Sequence, residues 1–279
     1  MNPDFIQDGM ALYSIGKGQP VFLMPYPHAS SQRSTADGRL AELILSSGYR
    51  VITFDPPSFA RSSRPAFSDL REMFYCTLEC LRYFNIFDPL PIIGHSMGGF
   101  CALALAIEHP SLTNKLIVSG SPSGWIDVRN FSIHKKWNWR EKKYWLSRYY
   151  GTRIILNRAN LKIHKQLDNL FNYECFHDKS YYEELEIHSG DSKIPPPPRA
   201  IWLRNVRNYE YSERLHEIHI PVMIATGKFD PLVPVKVSEK IKNNIANSKI
   251  TYFEKSGHSP FIEEKEKFSQ MLIDFLGDQ

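Results

Sequence analysis

The chain has 279 residues, of which 42% are hydrophobic and 23% charged, with a formal net charge of +4. That length buries a sizeable core as one domain, or as one domain with an insertion. The mild charge points away from nucleic-acid or membrane partners, and no segment reaches the run of about 18 apolar residues that a bilayer span needs.

The first residues, Met1 to Asp8, lack the basic and apolar regions of a secretory signal. The four cysteines, Cys76, Cys80, Cys101 and Cys175, form no C-x-x-C pair. They read as small buried apolar residues in a reducing cytoplasm, with neither a metal nor a disulfide role.

In chain order, Met10 to Gly16 alternates weakly, and Gly16 to Pro20 makes a turn. Val21 to Met24 is a short apolar strand that runs into the loop Pro25 to Ser31. Leu40, Leu43, Ile44 and Leu45 recur at helical spacing, and Gly48 ends that helix. Val51 to Phe54 is the next strand, followed by a long loop from Asp55 to Pro65. A helix is predicted over Asp69 to Tyr83. A short apolar run, Pro91 to Ile93, then enters Gly94-His95-Ser96-Met97-Gly98, and an Ala/Leu-rich helix follows from Phe100 to Ile107. Leu116 to Val118 is one more buried strand.

The alternation stops near Ser123 and resumes after Leu215. Between them lie all five tryptophans (Trp125, Trp137, Trp139, Trp145 and Trp202), and 17 Lys and Arg against 11 Asp and Glu. Trp137 to Tyr150 and Leu161 to Phe171 look helical, and Pro195 to Pro198 is a stiff extended run. The segment 123–215 therefore reads as a helical lid inserted between two parts of one α/β core, 1–122 and 216–279. Beyond it, Pro221 to Ala225 and Ile250 to Phe253 are strands and Val235 to Ile245 a helix. A terminal helix from Pro260 to Leu276 has Ser259 as its N-cap. Strands alternating with helices at this spacing predict a mostly parallel sheet with helices on both faces.

The pentapeptide Gly94 to Gly98 fits G-x-S-x-G between a strand and a helix, the setting of a nucleophile elbow. The glycines let strand and helix approach, and the helix N-terminus beyond the serine favours developing negative charge. A serine hydroxyl needs a base, and the base needs an orienting acid. Asp230 and His258 each stand in a loop just after a late strand. Alone, an Asp before Pro is a common turn former and a His in a Ser/Gly loop is usually solvated. Together, at strand ends and beside the elbow, they supply acid and base. The rival acid position after Ser119 offers only Gly120, Ser121 and Pro122. His95 reads as structural, pointing away from the serine. His28 is a candidate substrate contact.

Three segments carry a resemblance: Gly94-His95-Ser96-Met97-Gly98-Gly99, Gly227-Lys228-Phe229-Asp230-Pro231-Leu232-Val233-Pro234, and Ser256-Gly257-His258. On them the chain resembles the α/β-hydrolase superfamily, in its lidded branch of esterases, proline-iminopeptidase-like enzymes and carbon–carbon-bond hydrolases. The resemblance implies the α/β-hydrolase fold and a triad in the order Ser96, Asp230, His258. It also implies an oxyanion hole from the backbone N–H groups of Tyr26 and Met97, and no cofactor or metal.

Two departures stand out. Met24-Pro25 replaces the family's His-Gly at the start of the oxyanion loop. In Asp55-Pro56-Pro57-Ser58-Phe59-Ala60-Arg61-Ser62, Ser58 and Ala60 replace two glycines of the family's Asp-x-x-Gly-x-Gly-x-Ser. The loop is still expected to form.

The expected activity is hydrolysis of a small carboxylic ester or related acyl compound, by a monomer or homodimer. An iminopeptidase is the alternative among enzymes, with Glu141, Glu174 and Glu183 to Glu186 as candidates to hold an amino terminus. A ligand-binding or signalling protein that retains the triad is the alternative outside them. The segment's aromatics, Trp125 and Trp137 among them, are expected to line an apolar pocket as well as to pack the lid's own core.

Overall fold

The computed structural model describes residues 3–26, 35–57, 60–65, 69–129, 173, 175–182 and 208–277. Among them, eight strands form one sheet: β1 (Phe5–Gln7), β2 (Met10–Ile15), β3 (Pro20–Met24), β4 (Arg50–Phe54), β5 (Leu90–His95), β6 (Thr113–Ser119), β7 (Val222–Gly227) and β8 (Ser248–Phe253). Their order is β1-β2-β4-β3-β5-β6-β7-β8. The pairs β1–β2 and β2–β4 are antiparallel, and every other pair is parallel. The described α-helices are α1 (Arg39–Ser46), α2 (Arg71–Tyr83), α3 (Met97–Glu108), α4 (Trp125–Arg129), α5 (Val235–Asn244), α6 (Pro260–Glu263) and α7 (Lys265–Gly277).

The apolar runs become central strands because both sheet faces are covered. Phe22, Met24, Ile52, Phe54, Ile92 and Leu116 turn to one face and pack with residues of α2 and α3. Their neighbours Val21, Leu23, Val51, Ile93 and Ile117 turn to the other and pack with residues of α1 and α7. Successive strand residues point to opposite faces, so an uninterrupted apolar run fills two cores at once. Every residue of α3 from Met97 to Ile107 is buried, as a helix apolar all round requires.

Several helix boundaries and one cap differ from expectation. The helix expected from Asp69 begins at Arg71, where the Asp69 carboxylate accepts the Arg71 N–H at 2.8 Å and holds the chain in a turn. The terminal helix is two helices, broken at Glu264 (φ −129°, ψ 55°). There the Glu264 carboxylate turns back to accept Lys255 N–H at 2.9 Å and Ser256 O–H at 2.6 Å. Ser259 occupies the N-cap position of α6, but its side chain makes no capping bond. Its carbonyl instead accepts Ile262 N–H at 2.9 Å.

Between β6 and β7 the chain leaves the sheet and returns at one point. Gly124 and Glu210 form an isolated antiparallel bridge. The Glu210 carboxylate accepts Ile126 N–H at 3.0 Å and Ser212 N–H at 3.2 Å. Trp137 to Tyr150, Leu161 to Phe171 and the four prolines lie outside the described residues. No helix among the described residues is long and apolar enough to cross a membrane.

Candidate active site

Ser96 joins β5 to α3 with φ 53° and ψ −121°. A non-glycine residue at such angles stores about 1–3 kcal/mol of strain and persists only where its surroundings impose it. Here the Ser96 N–H donates to the Ser119 carbonyl at 2.8 Å, and the Ser96 carbonyl accepts Phe100 N–H at 3.0 Å. The flanking glycines are required by close approach. A Cβ on Gly94 would lie 2.6 Å from the Gly98 carbonyl, and one on Gly98 would lie 2.7 Å from the Met24 carbonyl. The second distance also sets the end of β3, and hence Tyr26, against the first turn of α3.

Asp230 and His258 meet below the loops that follow β7 and β8. Asp230 Oδ1 accepts the N–H groups of Leu232 (2.8 Å) and Val233 (2.9 Å), which fixes its carboxylate. Oδ2 accepts His258 Nδ1–H at 2.8 Å. Both side chains are buried, Asp230 to 1% exposure. With Nδ1 carrying the proton, the neutral ring keeps its lone pair on Nε2, the form a general base needs.

The backbone of His258 is held from both sides. Its N–H donates to the Cys175 carbonyl at 2.7 Å. Its carbonyl accepts Nε2–H of His95 at 2.8 Å. The two histidine rings lie 4.6 Å apart at 51°. His95 also accepts a short hydrogen bond from the Tyr26 hydroxyl at Nδ1. His95, read from the sequence as structural, turns its ring toward His258 and lies between the loops that carry Tyr26 and His258. Burial, then the adjacent His258, holds its pKa well below the ordinary histidine value. Burial likewise raises the Tyr26 phenol.

A second carboxylate serves the same loop. Glu263 Oε2 accepts Gly257 N–H at 2.6 Å, while Oε1 accepts the N–H groups of His177 (2.7 Å) and Asp178 (3.2 Å). Glu263 thus joins the histidine loop to residues 177 and 178, with the His177 ring stacked 3.8 Å from Phe229. Burial raises its pKa against these three donors.

Of the expected substrate contacts, Trp125 opens α4 and packs partly buried against the α3-side core. His28 and Trp137 lie outside the described residues. In the Asp55 loop, Asp55 Oδ2 accepts Tyr13 O–H at 2.6 Å and Arg61 N–H at 3.1 Å. Ser62 Oγ donates to the Asp55 carbonyl at 2.5 Å. Ala60 stands at φ 45°, where the family has a glycine. All four cysteines are buried. Sequence reasoning missed the part played by His95 and Glu263. Adjacency to Ser96 was the one available signal, and it concerned His95 alone.

A mostly parallel eight-stranded sheet with a strand–serine–helix elbow at its centre is the α/β-hydrolase architecture. A family model described as alpha/beta hydrolase fold matches residues 29–265, and the chain belongs to that family. A 2-hydroxy-6-oxononadienedioate/2-hydroxy-6-oxononatrienedioate hydrolase of Paraburkholderia phymatum is 26% identical over 86% of this chain and 80% of its own length. A pimeloyl-[acyl-carrier protein] methyl ester esterase of Legionella pneumophila is 26% identical over 82% of this chain and 84% of its own. Among solved structures, an alpha/beta fold family hydrolase from Bacillus anthracis has a TM-score of 0.77 at 24% identity. That match covers 96% of this chain and 95% of the other.

Proposed function

We propose that the chain is a serine hydrolase that cleaves a small carboxylic ester or related acyl compound. The observation that carries this is the buried His258–Asp230 pair at 2.8 Å, at the carboxyl end of the same parallel strands as a serine held in a strained elbow. Ser96 Oγ attacks the acyl carbon while His258 Nε2 accepts its proton. Asp230 holds the Nδ1–H tautomer and stabilises the imidazolium. The N–H groups of Tyr26 and Met97 receive the oxyanion, each worth about 3 kcal/mol in the transition state. The protonated His258 then donates to the leaving group, and afterwards deprotonates the water that releases the acyl group.

The insertion between Gly124 and Glu210 acts as a lid and supplies specificity. The Legionella relative, a methyl ester esterase, supports an ester. The Paraburkholderia relative supports a second substrate for the same machinery, a 2-hydroxy-6-oxo-dienedioate. The carboxylates that an iminopeptidase would need, Glu141, Glu174 and Glu183 to Glu186, lie outside the described residues.

The test is hydrolysis of short p-nitrophenyl and methyl esters beside a 2-hydroxy-6-oxo-dienedioate, with fluorophosphonate labelling in parallel. Ser96→Ala is expected to abolish turnover and labelling at an unchanged melting temperature. A folded wild type that neither turns over any of these nor labels at Ser96 would sink the proposal.

A further inference from the structure

His95 touches two loops that share no strand pairing. Tyr26 follows β3 and His258 follows β8, and β5, β6 and β7 lie between those strands in the sheet. His95 ends β5 and reaches both.

Its proton can be assigned from its partners. The His258 carbonyl can only accept, so Nε2 of His95 carries hydrogen. In a neutral ring Nδ1 is then an acceptor, and the Tyr26 hydroxyl donates to it. The ring's plane is fixed by the Phe261 ring, edge-on with centroids 4.8 Å apart. Among the described residues, the titratable groups facing it are Tyr26 and His258, and Cys175 adjoins Tyr26. None of these offers His95 an anionic partner that would favour a charged ring.

We propose that His95 is a positioning residue. As a neutral imidazole with hydrogen on Nε2, it ties the oxyanion loop, through the Tyr26 hydroxyl, to the backbone of the base His258. It thereby sets the distance between the oxyanion hole and the base. This rests on Ser96, His258 and Asp230 acting as the triad. The nucleophile follows His95 directly in the chain, so one residue fixes the nucleophile, the base and the oxyanion donor relative to each other. An error of about 1 Å in such an arrangement costs about 100-fold in rate.

Three variants separate the links. Tyr26→Phe removes the hydroxyl and keeps the backbone N–H. His95→Phe keeps ring and bulk but loses both hydrogen bonds. His95→Gln restores an amide donor at a similar reach toward the His258 carbonyl. We expect kcat to fall about 10-fold in Tyr26→Phe and about 100-fold in His95→Phe, with KM nearly unchanged. His95→Gln should recover part of the second loss.

Wild-type nitrogen NMR should show His95 with hydrogen on Nε2 and a bare Nδ1 from about pH 5.5 to about pH 8, the range in which an ordinary histidine titrates. That measurement stands even if a variant fails to fold. Titration of His95 in this range, or hydrogen on Nδ1, overturns the assignment. A wild type that no fluorophosphonate labels overturns the triad and this role with it. A wild type that labels, beside folded Tyr26→Phe and His95→Phe that label and turn over equally fast, overturns this role alone.

Discussion

Gly120 lies against His258 so closely that a Cβ on it would sit 3.1 Å from Nδ1, and equally near Asp230 Oδ2. Its φ of 52° already disfavours a side chain. The residue that follows β6 thus forms the floor beneath the hydrogen bond between Asp230 and His258. Gly120→Ala is expected to press on that bond. Activity should fall about 10-fold, since the contact asks for a shift well short of 1 Å, with about 1 kcal/mol lost from stability through the left-handed backbone. Ester kinetics and urea unfolding of the same sample check both. Unaltered kcat would show that the pair has room to spare.

Asp230→Asn tests the tautomer rather than the packing. The amide oxygen can still accept from Leu232 and Val233, so the loop should keep its shape. The amide N–H, however, faces Nδ1 of His258 and favours the tautomer with hydrogen on Nε2. That ring cannot take a proton from Ser96. A loss of about 1,000-fold or more in kcat is expected, with KM little changed. A loss below tenfold would mean that another group orients the histidine.

Ala60 gives a prediction of the opposite sign. At φ 45° its methyl group costs about 1–2 kcal/mol, of which a glycine's extra chain entropy returns about half. Ala60→Gly should therefore stabilise the protein by about 0.5–1 kcal/mol without touching activity. A urea midpoint that stays put or falls would show that the Asp55 loop is not strained.

Glu263 makes stability depend on pH. Burial raises its folded pKa above the unfolded value, so the folded chain holds this proton more tightly. Its stabilising contribution is full below the unfolded pKa of about 4.3 and is lost as pH rises through the folded value. In Glu263→Gln that dependence disappears. The stability of wild type minus that of the variant should therefore shrink as pH rises, measured by urea unfolding at several pH values. A gap that widens with pH would mean that the three N–H donors outweigh burial.

What could be read in the sequence follows from which interactions are local. The central strands were legible because each is a short apolar run bounded by turn residues. β1 was not, because Phe5 and Ile6 are exposed and leave no buried face to pattern. The break at Glu264 was hidden because its cause is a bond back to Lys255 and Ser256, while Glu-Glu-Lys-Glu-Lys suits a helix. Ser96, Asp230 and His258 could be nominated because each stands at the end of a recognisable strand. His95 could not be given its role, since its partners are 69 and 163 residues away. Gly120 was passed over for lacking a side chain, which is the property that its position demands.

The bridge between Gly124 and Glu210 brings the two ends of the intervening segment together. A segment whose two ends meet adds no separation between β6 and β7, whatever its length. Such a junction accepts insertion or replacement without moving the sheet. The intervening segment can be lengthened, shortened or replaced while the strand ends that hold Ser96, Asp230 and His258 stay where they are.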